Sequence, residues 1–232
     1  VPQTLSLELA LKLGSFNDTQ KSWIKRLFLR SGIETRCSVL AGDGAADQLM
    51  RVHRFYPPAK DASDRGPTTA IRMQRYAMEA PGLAIGSAKQ ALQDAGIDPA
   101  QITHLVTASC TGFFAPGLDS ALIHELDLSP NVRRVHVGFM GCHAAFNALA
   151  VANDAATADP EARVLVCSVE LCSLHLAYGS DPGKLVANSL FADGSASVVV
   201  GQDPDETANG FRIDGFSSCL LDDCSDAITD LK

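Results

Sequence analysis

The chain has 232 residues, 46% of them apolar, enough to bury a sizeable core in one domain. Lys and Arg total 19 against 27 Asp and Glu, and the resulting net charge of -8 argues against nucleic acid or an anionic membrane surface as a main partner. No apolar run approaches the ~20 residues of a membrane span and no basic, apolar export signal opens the chain, so a cytoplasmic location is expected.

Leu5, Leu7, Leu9, Leu11 and Leu13 alternate as in a strand, but Glu8, Ala10 and Lys12 between them favour helix, and helix is the expectation. Asn17 or Asp18 can cap a second helix with Trp23, Ile24, Leu27 and Phe28 on one face and Gly32 at its end. Residues 56–68 are rich in Pro, Gly and charge and read as an exposed loop.

An alternation of helix and strand follows. Residues 79–95 read as a helix, with Pro81 in its first turn and Gly96 just past its end. Asp98-Pro99 marks a turn. Strands are expected at 102–108, 132–139, 163–169 and 196–201, with helices at 116–128 and 142–158 between them. Residues 203–210 read as a turn and 211–218 as a further strand. Strands separated by helices imply a mainly parallel sheet covered on both faces, in a single domain over residues 1–232.

The seven cysteines are Cys37, Cys110, Cys142, Cys167, Cys172, Cys219 and Cys224. An odd count without an export signal suggests free thiols in a reducing compartment. The pairs 167/172 and 219/224 have an odd separation, which on a strand sends side chains to opposite faces, and no metal site is expected.

Cys142 has the most informative setting. A β-rich stretch runs into Gly138 and Gly141, and a helix of small residues follows. A thiol at the first turn of that helix would face unpaired N–H groups and the positive dipole end, which favour a thiolate. A helix terminus is worth about 0.3–2 kcal/mol. That lowers a reference thiol pKa of about 8.5 by at most ~1.5, so a strong nucleophile also wants a histidine beside it. The same pattern also fits a small core thiol, since free cysteine is among the most buried residue types.

Four stretches in register resemble the chalcone synthase family, the type III polyketide synthases of the thiolase superfamily: CTGFFAPGLD at 110–119, GFMGCHAAFNALAVA at 138–152, ARVLVCSVEL at 162–171 and SLFADGSASVVVG at 189–201. Their order and spacing are similar to the family's N-terminal half. The resemblance implies an α/β fold of thiolase type with α/β/α layers, one of its two halves being present. It implies a transferase in which Cys142 takes an acyl group from an acyl-CoA starter, and malonyl-CoA units extend it by decarboxylative Claisen condensation. It implies no cofactor beyond these CoA substrates, and a homodimer.

The resemblance also distributes roles. Phe191 falls on the family's gatekeeping phenylalanine, although by pattern alone it is equally a core aromatic before a tight Asp193-Gly194 turn. Arg26 and Arg30 lie near positions that hold coenzyme A phosphates, while Trp23 stands where a basic residue is expected, and an exposed basic helix face fits as well. Cys110 and Cys172 stand where plant chalcone synthases have cavity threonines, His175 stands near a third, and Ala115 replaces a methionine that reaches toward the partner subunit. The resemblance is thus closer to bacterial alkylresorcinol- and pyrone-forming relatives and implies an aliphatic starter. The family's catalytic His and Asn come from its second half. None of His53, His104, His124, His136, His143 and His175 has that histidine's context, so this chain alone is expected to condense nothing at a useful rate. A lone half is also expected to expose apolar surface and to associate or dissolve poorly. The alternatives are a ketoacyl synthase III or hydroxymethylglutaryl-CoA synthase type of enzyme, or an inert half acting as a binding or dimerisation module.

Overall fold

The computed structural model describes residues 1–41, 52, 54–61, 63–202, 210–219 and 222. Two compact units divide the chain, Val1–Gln202 and Asp203–Lys232.

In the first unit, helix α1 (Gln3–Leu13) settles the ambiguous opening as helix. Helix α2 (Asp18–Arg30) starts at a capping box in which Asn17 and Gln20 bond reciprocally, and Gly32 follows it in the left-handed region. Ile24 and Phe28 of α2 bury with Leu185 in a small core that Trp23 and Leu27 flank. The 56–68 stretch is not wholly exposed. Tyr56 at its start is fully buried, and its hydroxyl donates to Ser173 O at 2.9 Å. That bond satisfies a polar tip taken into the core.

Helix α3 (Thr69–Ala95) starts ten residues before the expected 79, which corrects the reading of Pro81 as a first-turn residue. The Thr68 side chain caps the true start, at Ile71 N, and Pro81 lies in the interior. An interior proline removes one backbone bond and costs about 3 kcal/mol. Burial of Tyr76, Ala80, Ala84, Ala88 and Leu92, a stripe recurring every four residues, offsets it. Gly96 ends the helix at φ 63°.

Strands β1 (His104–Ser109), β2 (Arg133–Gly138), β3 (Arg163–Leu171) and β4 (Asp193–Gly201) form one sheet in the order β2-β1-β3-β4. The first three are parallel, as expected, and β4 runs antiparallel to β3. Helix α4 (Leu118–Glu125) joins β1 to β2, and helix α5 (Ala144–Ala158) joins β2 to β3. Helix α6 (Pro182–Leu190) precedes β4.

Side chains alternate along the strands into two cores. Leu105, Leu165, Cys167, Val169 and Leu171 pack with α3 and α4 on one face. Val106, Ala108, Val164 and Val166 pack with Ala144, Ala148 and Ala152 of α5 on the other. Coverage is incomplete at one edge, because the first four residues of β2 are exposed. Among the described residues no helix is long and apolar enough to cross a membrane.

In the second unit, residues 211–219 have no regular secondary structure, which corrects the strand expected at 211–218. A strand needs a hydrogen-bonded neighbour, and no pairing involves these residues among those described. Arg212 and Asp214 form a local ion pair at 2.8 Å. The turn expected at 203–210 lies outside the described residues except for Gly210.

Candidate active site

The three parallel strands end together, and their carboxyl ends carry the candidate site. Cys110 directly follows β1, Cys172 directly follows β3, and Cys142 lies in the turn after β2.

Cys142 is one turn earlier than expected. It sits in a 3-10 turn, Gly141–His143, that leads into α5, rather than in the helix itself. It is exposed, so the core-thiol alternative does not describe it. Two left-handed residues make the corner, Phe139 at φ 58° and Gly141 at φ 60°. Glycine adopts this conformation freely, whereas an aromatic residue does so at a cost in strain. The stripe of Ala144, Ala148, Ala152 and Ala156 lets α5 lie close to the sheet behind this corner.

Glu170, near the end of β3, binds the ends of β1 and β3 together. Its carboxylate accepts from Cys110 N at 2.9 Å and from Thr111 Oγ1 at 2.6 Å. Thr111 Oγ1 in turn accepts from Leu171 N at 2.8 Å. The Cys110 thiol donates to Gly141 O at 3.3 Å, which ties β1 to the corner that carries Cys142. Burial and then the Glu170 charge push the Cys110 thiol up, against backbone hydrogen bonds from Met140, Gly141 and Phe139. Burial, followed by the charges of Glu170, Asp193 and Cys142, pushes the Cys172 thiol up to about 12.

His175 Nε2 lies 2.6 Å from Thr111 O, on the rim of the same cluster. His136 Nδ1 lies 2.8 Å from Thr107 Oγ1, and the His143 ring packs on Phe146 with centroids 6.1 Å apart. His53 lies outside the described residues.

Phe191 caps the end of α6 and is 53% exposed, so it is not a core aromatic. The tight turn expected at Asp193-Gly194 is absent, because both residues already belong to β4. Asp193 is buried and accepts from Val39 N at 2.7 Å, Ser173 N at 2.7 Å and Ser173 Oγ at 2.5 Å. Those donors hold it in the ladder, where an Asp-Gly pair in sequence signals a turn. Arg36 Nη1 donates to Asn188 O at 2.7 Å and Phe191 O at 2.9 Å, which fixes the backbone under the Phe191 ring.

Arg26 and Arg30 lie apart from the cysteine cluster. With Trp23 and Leu27 of α2 and Val186 and Leu190 of α6, they line an open hollow of about 400 Å³. The structure thus gathers Cys110, Cys142, Cys172 and His175, and sets Phe191 and the two arginines on the α2–α6 side. Sequence reasoning passed over Glu170 and Arg36 and took Asp193 for a turn residue. Glu170 left a signal, a lone carboxylate near the end of a mostly apolar strand.

Among the described residues no group of His, Cys, Asp and Glu is placed to hold a metal ion.

Comparison with known proteins bears on this arrangement. An α-pyrone synthesis polyketide synthase-like protein of Mycobacterium tuberculosis is 40% identical over 213 residues, which are 90% of this chain and 51% of that protein. The 1,3,6,8-tetrahydroxynaphthalene synthase of Streptomyces griseus is 31% identical over 98% of this chain and 55% of its own length. Among solved structures, the C-terminal type III polyketide synthase domain of Steely1, a type I/III hybrid from Dictyostelium, superposes with a TM-score of 0.75 at 30% identity. It matches 88% of this chain and 53% of that one. The 1,3,6,8-tetrahydroxynaphthalene synthase of Streptomyces coelicolor gives 0.68 at 30% identity, over 87% of this chain and 53% of that one. The chain therefore spans about half the length of the relatives it matches, and its fold is that of the type III polyketide synthases, of thiolase type. Residues 11–204 match the family model for the N-terminal domain of chalcone and stilbene synthases, and the chain belongs to that family.

Proposed function

We propose that this chain carries the nucleophile of a type III polyketide synthase and that Cys142 is that nucleophile. The observation that carries the reading is the setting of Cys142: exposed, on a strained corner at the carboxyl end of a parallel strand, with the amino end of α5 behind it. The Cys142 thiolate attacks the carbonyl of an acyl-CoA, coenzyme A leaves as a thiol, and the acyl group stays on sulfur. A malonyl-CoA unit then loses carbon dioxide, and its carbanion attacks that thioester. Decarboxylation and condensation need the His and Asn of the family's second half, so the loading step is the one assigned to this chain.

The other residues take supporting roles. Cys110, Cys172 and His175 line the pocket that receives the acyl chain, and Phe191 gates it. Arg26 and Arg30 pair with coenzyme A phosphates in their open hollow, where guanidinium suits an oxyanion. The acyl chain is aliphatic, since the cluster is built of thiols rather than the threonines of plant chalcone synthases. The enzyme works as a homodimer in the cytoplasm. The relatives found are polyketide synthases, which favours this reading over other thiolase-type enzymes.

Incubation with a medium-chain acyl-CoA, followed by intact mass and peptide mapping, tests the assignment. The expected result is one acyl group, located on Cys142 and abolished in Cys142→Ala. Acylation that persists in Cys142→Ala, or none in a folded wild-type chain, would remove the nucleophile assignment.

A further inference from the structure

The mechanism above uses one thiol, yet a second is held against the same corner. The Cys110 thiol donates at 3.3 Å to the carbonyl of the peptide that joins Gly141 to Cys142. Standard peptide dimensions then put the Cys110 sulfur within about 6 Å of the Cys142 Cα. A disulfide brings its two Cα atoms to about 4.4–6.8 Å, so closure needs the corner to carry Cys142 toward that sulfur. Cys142 is exposed and Cys110 is partly exposed, so a small oxidant can reach the pair. Cys172 is the competing neighbour, because its thiol feels the Cys142 charge.

We propose that Cys110 and Cys142 form a reversible disulfide under peroxide, which takes the nucleophile out of use and protects it from irreversible oxidation. The Cys142 thiolate attacks one oxygen of hydrogen peroxide. The O–O bond breaks, hydroxide leaves, and a sulfenic acid forms on Cys142. The Cys110 thiolate then attacks that sulfur; the S–O bond breaks as the S–S bond forms. The departing hydroxide takes up the proton that Cys110 lost. In total two thiols give up two electrons, and one peroxide becomes two waters. Burial and Glu170 hold the Cys110 thiol protonated, which makes Cys110 itself a poor first target for peroxide. The regulatory consequence rests on the assignment of Cys142 as nucleophile, while the disulfide itself does not.

The full chain is treated with hydrogen peroxide, its remaining thiols are alkylated with iodoacetamide, and its peptides are mapped before and after dithiothreitol. The expected result is a cross-linked peptide joining 110 to 142, loss of two alkylatable thiols and their full recovery on reduction. In Cys110→Ser, dimedone is expected to trap the sulfenic acid on Cys142, which then over-oxidises beyond recovery. Cys172→Ser is expected to keep the cross-link, and it tests the pair even if the Cys110 variant misfolds. A cross-link from 142 to 172, or over-oxidised Cys142 in the wild type without any cross-link, would overturn the proposal. Acyl loading is read separately. A disulfide without loading leaves the thiol pair standing and removes the nucleophile reading, and loading without a disulfide does the reverse.

Discussion

Gly112 stands where the loop after β1 crosses the ring of Tyr76. A β-carbon at that position would lie 2.1 Å from Tyr76 Cγ and 2.3 Å from Cδ2, far inside contact distance. The ring cannot retreat easily, since it is buried and its hydroxyl is tied to Ser109 Oγ at 2.7 Å. The absence of a side chain at 112 therefore lets Cys110 and Thr111 settle onto Glu170. Gly112→Ala is expected to lower stability by about 1–3 kcal/mol, the usual range for overpacking. It is also expected to slow acylation of Cys142. Thermal denaturation checks the first effect, and an unchanged midpoint would mean that the loop shifts aside without cost.

Helix α5 acts as the base on which the Cys142 corner rests. Its fully buried residues are Ala144, Ala148, Ala152 and Ala156, spaced one turn apart, and the first three pack directly on Val106, Val164 and Val166 of the sheet. Ala148→Leu or Ala152→Leu is expected to push the helix outward at about 1–3 kcal/mol. Ala145→Leu, on the exposed face, is expected to stay within about 0.5 kcal/mol of the wild type. Equal melting points for all three variants would refute the close approach. Most elements were legible in sequence because period and caps agreed, as for α2 at Asn17 and the strands from 104 to 171. The failures share one cause, a contact distant in sequence. Pro81 reads as a boundary, and only the packing of α3 against the sheet holds it inside a helix. Asp193-Gly194 reads as a turn, and donors at 39 and 173 keep it in a strand. Residues 211–218 read as a strand, but a strand also needs a neighbour. At the site, Cys142 was legible from its corner, whereas Glu170 and Arg36 act through partners that no local pattern names.

The whole molecule keeps its phenols and its best-buried site thiol in the protonated form. The chain has three tyrosines, and all three are shifted the same way. Burial raises Tyr56 well above the usual range, against the pull of the Arg72 guanidinium. Burial raises Tyr76 likewise, against its bond to Ser109. Burial, with the Asp64 charge, pushes Tyr178 up to about 12, and Cys172 stands at about 12 as well. In the unfolded chain these groups ionise near their ordinary values, about 8.5 for a thiol and about 10 for a phenol. Between those values and the folded ones, the unfolded chain binds fewer protons, so stability falls as pH rises. The stabilisation is complete below about pH 8.5 and is lost progressively toward pH 12. An alkaline titration should then show tyrosinate absorbance rising in step with the loss of helical circular dichroism, because unfolding is what releases the phenols. Tyrosinate appearing near pH 10 while the helical signal is intact would mean that these tyrosines reach water in the folded chain.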